Sequence, residues 1–274
     1  MKKLVVLGGG ISGYGSAILA RRKGFDVFLS DSGRIADRYR MKLEAWGVPY
    51  EEGGHSEERI LAASECVKSP GIPDSAPIVR KLRERGVPVI SEIEFAGRYL
   101  DGARTICITG SNGKTTTTSL VYRILRDAGC NVALGGNIGE SFAYSVATGD
   151  YDWYVLELSS FQLMTMQTSP HIAVTTNLAP NHLDVHKDYQ EYVDAKANIF
   201  THQTAGDIAV FNADNADTVE QAAKAVGEVR WFSRKQRVDN GVFCENGVIY
   251  EAANGTVTPI METKDVLLPG VHNI

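Results

Sequence analysis

The apolar, strand-forming run Thr105–Thr109 passes directly into Gly110-Ser111-Asn112-Gly113-Lys114-Thr115-Thr116 and then into a helical pattern reaching Ala128. A buried strand that feeds a helix through a glycine loop belongs to α/β architectures with parallel sheets, because each parallel strand needs a crossover helix to return the chain. The same order of parts aims backbone N–H groups and a lysine at a polyphosphate. Gly110 and Gly113 let the backbone turn and approach oxygen atoms without a Cβ. Lys114 supplies a point charge for the β/γ-phosphates, and the Thr115 hydroxyl suits Mg²⁺. ATP with Mg²⁺ is therefore the expected ligand. The match to the Walker pattern is incomplete, since its first glycine would fall at Ile108. An ordinary glycine turn capped by threonines is the competing reading.

The rest of the chain repeats the strand–helix alternation. Before the loop, strands are expected at Lys3–Leu7, Asp26–Ser30, Cys66–Ser69 and Pro88–Ser91, with helices at Gly13–Lys23, Asp37–Trp46 and Pro77–Glu84. After it, strands are expected at Val132–Leu134, Trp153–Leu158, Ile172–Thr176 and Ile208–Asn212, and an amphipathic helix at Tyr189–Thr201. The first strand series ends near Phe95–Ala103, which divides the chain into a Rossmann-like domain, 1–95, and a P-loop-type α/β domain, 96–274. Beyond Arg230 short alternating runs surround Asn246-Gly247 and Asn254-Gly255, both hairpin-turn signals. The 274-residue chain stops where a helix would begin, at Leu-Pro-Gly-Val-His-Asn-Ile274, so a truncated chain is expected.

A formal charge of −5 gives no general pull towards nucleic acid or anionic lipid, so any phosphate binding has to be local. The four scattered cysteines form no C-x-x-C pair, which favours a reducing cytoplasm over a zinc site or disulfide framework. The start, MKKLVVLGGG, has too short an apolar run for a signal peptide. A cytoplasmic monomer without nucleic-acid or membrane partners is the expectation.

Gly8-Gly-Gly10-Ile-Ser-Gly13 fits G-x-G-x-x-G between a strand and a helix, and Asp31 ends the next strand. Alone, that dinucleotide fingerprint argues for NAD and an oxidoreductase. The geometry serves any diphosphate that a helix N-terminus can cradle.

The loop Gly110–Thr116 resembles the G-[TS]-N-G-K-[ST]-[TS] loop of the Mur ligase superfamily, ATP-dependent amide-forming enzymes. Gly135-Gly-Asn137-Ile-Gly139 resembles the family's glycine-asparagine turn, and Glu157-Leu-Ser-Ser-Phe-Gln-Leu163 the motif of its D-glutamate-adding member. Asn177-Leu-Ala-Pro-Asn-His-Leu-Asp184, Asp194-Ala-Lys196 and the terminal His272-Asn273 resemble further family positions. The resemblance implies UDP-N-acetylmuramoyl-L-alanine, D-glutamate and ATP as substrates, and a third, amino-acid-binding domain that is absent. It also leaves two alternatives: a sibling ligase adding L-alanine or a diamino acid, and a chain that binds nucleotides without ligating.

The resemblance also implies roles for individual residues. Asn137 would approach the adenine, and Asn273 would also bind ATP. Glu157, His182 and Lys196, the last carbamylated, would join Thr115 around metal, with Lys114, His182 and Lys196 serving catalysis. Ser12 and Gly13 would lie near the diphosphate of the UDP-substrate, Ser69, Pro70 and Gly71 near its uracil and diphosphate, and Asp31 and Arg34 near its uridine. Asn137, Ser159 and Gln162 would face the muramoyl-alanine side. Each has a blander reading. Glu157 or Gln162 could cap a helix, His182 could be a solvated loop residue and Lys196 a solvated helix residue. Asp31 could be a turn residue and Arg34 a surface arginine.

Overall fold

A computed structural model describes residues 2–180 and 186–268. The chain is α/β and divides into two compact units, Met1–Thr105 with Thr118–Thr168, and Ile106–Thr117 with Ser169–Ile274. Up to the phosphate loop the elements are β1 (Lys3–Leu7), α1 (Ile11–Arg22), β2 (Asp26–Ser30), α2 (Asp37–Ala45), β3 (Tyr50–Glu51), α3 (Glu57–Leu61), β4 (Glu65–Lys68), α4 (Pro77–Glu84), β5 (Val89–Ile90), α5 (Glu92–Gly97) and β6 (Arg104–Thr109). There follow α6 (Lys114–Asp127), β7 (Val132–Gly136), α7 (Phe142–Thr148), β8 (Trp153–Glu157), α8 (Ser160–Leu163), β9 (Ile172–Thr175) and α9 (Tyr189–Ala197). The last elements are β10 (Ile208–Asn212), α10 (Ala216–Ala222), β11 (Glu228–Ser233), β12 (Gly241–Glu245), β13 (Val248–Ala253) and β14 (Thr256–Glu262).

The first unit is built on a parallel five-stranded sheet ordered β3-β2-β1-β4-β5. Leu4, Val5, Val6 and Leu7 are all buried, as a central strand covered on both faces requires. The chain leaves β1 on one side for β2 and β3 and returns on the other for β4. The C-terminal ends of β1 and β4 therefore flank the switch point at which such sheets bind ligands. Helix α1 is buried from Ser12 to Ala20, and its small residues let it lie close to neighbouring backbone. In the same unit β7 and β8 pair in parallel, and Phe142 of α7 packs edge-on against Tyr154 of β8.

In the second unit β6, β9, β10, β11 and β12 pair in parallel, and β13 and β14 extend the sheet antiparallel. Phe200 and Phe211 meet edge to face beneath it, ring centroids 5.0 Å apart. Fully burying each such ring contributes about 2 kcal/mol of transfer free energy. The two hairpins fall where the Asn-Gly pairs stand. Asn246 and Gly247 have φ of 49° and 78°, and Asn254 and Gly255 have 52° and 75°, the left-handed pairs of a type I′ turn. Strand β14 is exposed along its whole length and carries Pro259, a residue suited to a sheet edge. No helix among the described residues is long and apolar enough to cross a membrane.

Candidate functional site

The second unit holds the phosphate loop. Its shape is set by the side chains that follow β9. Gly110 has φ +147°, and a Cβ there would sit 1.9 Å from Thr176 Oγ1 and 3.1 Å from the Asn177 carbonyl, so only glycine fits. The Ser111 N–H donates to the Asn177 carbonyl at 2.8 Å. The Asn177 side chain accepts from the Asn112 N–H at 3.0 Å and donates to the Asn112 carbonyl at 2.9 Å. Thr176 Oγ1 donates to the same carbonyl at 2.6 Å. The loop is thus pinned to the neighbouring strand end on both backbone polarities. Gly113, with φ +81°, turns the chain into α6. Lys114 Nζ donates to the carbonyls of Gly110 and Ser111 at 3.0 and 3.1 Å, which holds its ammonium against the loop it serves. Asn112, Gly113 and Thr115 are exposed, and Lys114 and Thr116 are half-buried.

Behind the loop lies α9. Tyr192 OH is 2.8 Å from Ser111 Oγ, which also bridges the Ala179 backbone, donating to its carbonyl and accepting from its N–H at 2.9 Å each. Burial raises the Tyr192 phenol above its ordinary range, against the contact with Ser111. Lys196 is not a solvated helix residue. It is 3% exposed, its Nζ donates to Thr109 Oγ1 at 3.1 Å and lies 4.9 Å from the centre of the Tyr192 ring. An interior ammonium is costly unless partnered, so its placement at the root of the loop is built in by the packing of α9. Thr176, Asn177 and Tyr192 escaped the sequence reading. Asn177 opens the run Asn177-Leu-Ala-Pro-Asn-His-Leu-Asp184, but its side chain's use as a loop clamp leaves no local signal.

In the first unit, the β7–α7 turn meets the end of β8. Gly136 has φ +90° and a Cβ there would lie 2.2 Å from the Glu157 carbonyl, while Gly139 at φ +75° backs onto the Leu134 carbonyl. This closeness lets the Asn137 N–H donate to the Glu157 carbonyl and its Nδ2 to Glu157 Oε1, both at 2.8 Å. Glu157 is 1% exposed. Ser159 and Gln162 form a reciprocal capping box at the start of α8, the helix-cap arrangement that the blander reading named.

The glycine-rich turn after β1 is the other candidate. A Cβ on Gly13 would fall 1.7 Å from the Gly8 carbonyl, so α1 begins almost in contact with the strand end. The Asp31 carboxylate accepts the Gly9 N–H at 2.5 Å and the Gly33 N–H at 2.7 Å. The Ser69 N–H donates to the Leu7 carbonyl at 2.9 Å, which seats the Ser69-Pro70-Gly71 loop beside the turn, with Pro70 and Gly71 exposed. Arg34 is a surface arginine, 77% exposed and paired with Asp37 at 3.4 Å. Ser12 is buried beside Glu92. Desolvation pushes the buried Glu92 carboxyl above the ordinary range, although the Ser12 and Ser141 hydroxyls and the Ala143 N–H oppose the shift. Glu92 had no part in the sequence reading.

His182 and Asn273 lie outside the described residues. Among the described residues no three His, Cys, Asp or Glu side chains gather into a metal-holding group. Thr115 and Glu157 each offer a hard oxygen of the kind Mg²⁺ takes when phosphates supply its other ligands.

Comparison with known proteins adds to this geometry. The family model described as Mur ligase middle domain matches residues 108–274, and the one described as Mur ligase MurD-like, N-terminal domain, matches residues 2–91. A UDP-N-acetylmuramoylalanine–D-glutamate ligase from Bacteroides fragilis is 55% identical over 217 residues, 78% of this chain and 49% of that protein. One of the same description from Bacteroides thetaiotaomicron is 45% identical over 279 residues, 100% of this chain and 62% of that protein. The chain thus spans between about half and 62% of the length of these relatives. The crystal structure of UDP-N-acetylmuramate:L-alanyl-gamma-D-glutamyl-meso-diaminopimelate ligase from Neisseria meningitides superposes with a TM-score of 0.65 at 21% identity, covering 100% of this chain and 90% of that one. UDP-N-acetylmuramate-alanine ligase from Thermotoga maritima gives 0.56 at 22%, covering 100% and 62%. These two likenesses speak to the fold.

Proposed function

The chain belongs to the Mur ligase family, and from that premise we propose that it is the nucleotide-binding part of an ATP-dependent ligase joining D-glutamate to UDP-N-acetylmuramoyl-L-alanine in cytoplasmic peptidoglycan precursor synthesis. The observation that carries the proposal is the phosphate loop, where Thr176 and Asn177 hold Ser111 and Asn112 and the Lys114 ammonium folds over the Gly110 and Ser111 carbonyls. The division of labour we propose follows the chain, with residues 1–95 taking the UDP-substrate and 96–274 taking ATP.

In this reading the N–H groups of Gly113–Thr116 and the Lys114 ammonium grip the β/γ-phosphates. The γ-phosphoryl group passes to the alanyl carboxylate, giving an acyl phosphate. The D-glutamate amine attacks that carbonyl, and inorganic phosphate leaves the tetrahedral intermediate. Lys114 stabilises the charge that shifts onto the phosphoryl oxygens during transfer. Thr115 and Glu157 would hold Mg²⁺, with His182 and a carbamylated Lys196 completing its surroundings, and the ion would neutralise charge on the phosphates. Asn137 would border the adenine, and Asn273 would also bind ATP. Ser12 and Gly13 would lie beside the UDP diphosphate and Ser69–Gly71 beside the uracil and diphosphate, with Asp31 and Arg34 beside the uridine. Asn137, Ser159 and Gln162 would border the muramoyl-alanine.

The test is phosphate release by the full-length polypeptide from MgATP with UDP-N-acetylmuramoyl-L-alanine. Release should require D-glutamate. Release driven instead by L-alanine with UDP-N-acetylmuramate, or by a diamino acid with the dipeptide precursor, would assign the chain to a sibling ligase.

A further inference from the structure

The turn that carries Asn137 is fixed at both ends, and only one end belongs to the candidate site. At its start, Asn137 is bound to Glu157 through backbone and side chain. At its end, Glu140 accepts from Tyr14 OH on α1, from Lys42 Nζ on α2 at 3.1 Å, and from the Ser141 N–H at 2.9 Å. Lys42 Nζ sits 4.5 Å from the Tyr14 ring centre and 4.1 Å from that of Tyr144, and Tyr14 stacks on Tyr39 at 4.8 Å. Burial works against charge on Glu140, yet Tyr14, the Ser141 N–H and Lys42 together hold its carboxyl below the ordinary range. The next residue is tied down separately: Ser141 Oγ donates to the buried Glu92 at 2.5 Å. Helix α1 is so close that a Cβ on Gly15 would meet Ser141 Oγ at 1.8 Å.

We infer that Glu140, clamped by Tyr14 and Lys42, is a positioning residue that orients the Asn137–Glu157 pair for MgATP. The inference rests on the reading of Asn137 and Glu157 as nucleotide- and metal-side groups. Lys42 and Glu140 are both partly exposed, so their ion pair adds little stability by itself. Its consequence is geometric. The turn from Gly135 to Glu140 contains two glycines in left-handed conformations and has few ways to hold its shape unaided. A cation between two rings with a carboxylate on top fixes the turn's far end, as outer-shell partners fix ligands at metal centres.

The test is calorimetric titration of the protein with MgATP and, separately, with UDP. Glu140→Ala and Lys42→Met should each weaken MgATP about tenfold, as loss of an outer-shell partner does, while affinity for UDP, titrated as the part of the substrate away from Asn137, stays within about twofold. Lys42→Arg, which keeps the cation, should restore MgATP affinity. In an Asn137→Ala background Glu140→Ala should add nothing, since Glu140 acts through Asn137. MgATP affinity unchanged in both Glu140→Ala and Lys42→Met would overturn the inference, as would additive losses in the double variant. Wild-type protein that binds no MgATP would instead overturn the functional reading on which it rests. The two failures are therefore distinguishable.

Discussion

Two strand–glycine–helix turns in one chain are built for different neighbours. After β1, glycine is needed because α1 starts against the strand: a Cβ on Gly13 would collide with the Gly8 carbonyl at 1.7 Å. After β6, glycine is needed because the loop itself is gripped, with Gly110 pressed on Thr176 and Asn177. The charges differ too. The first turn is braced by acids, Asp31 on the Gly9 N–H and Glu92 beside Ser12. The second has Lys114 folded over its own carbonyls. A triphosphate carries more charge than a diphosphate and suits the turn with the cation. On the proposed reading, the glycine pattern lets a phosphate approach, and the adjoining side chains distinguish the two turns.

That contrast can be broken in four places. The largest effect should come from Gly13→Ala, whose Cβ meets backbone that cannot give way. A loss of about 3 kcal/mol or more is expected by chemical denaturation. Gly10→Ala, with nothing within 4 Å of its Cβ, should stay within about 0.5 kcal/mol. Next, Lys114→Met should weaken MgATP about a hundredfold, or about 2.7 kcal/mol, with the melting temperature nearly unmoved. Asn177→Ala removes two bonds to the loop and should cost about tenfold in MgATP affinity without affecting the UDP-substrate.

The smallest effect is a pH dependence at the first turn. Glu92's folded pKa is raised by burial, so the native state holds its proton longer than the unfolded chain, whose Glu titrates at about 4.3. Wild-type stability should therefore fall as pH rises above that value, and Glu92→Gln lacks that slope. The variant should gain on wild type as pH rises above about 4.3 in denaturant titrations. A difference independent of pH would remove Glu92 from the account of the first turn.

Much of the fold was legible because long apolar strands and Asn-Gly turns are local signals. Lys3–Leu7, Asp26–Ser30 and Ile208–Asn212 stand as read, and both hairpins turn at their Asn-Gly pairs. Short helices were missed: α5, α7 and α10 have six or seven residues each, too few for a clear period, and rely on the caps Ser91, Ser141 and Asn215. The candidate site was legible as residue types and not as contacts. The helix pattern around Lys196 alone allows a solvated lysine and only the resemblance draws it towards the site, yet it is buried because α9 lies under Thr109. The Tyr14–Lys42–Glu140 clamp joins residues 28 and 126 apart in sequence, and no window along the chain contains it.

On the proposed reading the chain has two phosphate sites, with the triphosphate at the second turn. That reading is tested most directly by titrating MgATP into protein already saturated with the UDP-substrate, in wild type and Lys114→Met. Both ligands should bind wild type together, and the variant should lose MgATP alone. Mutual displacement, or an unchanged MgATP affinity in Lys114→Met, would contradict it.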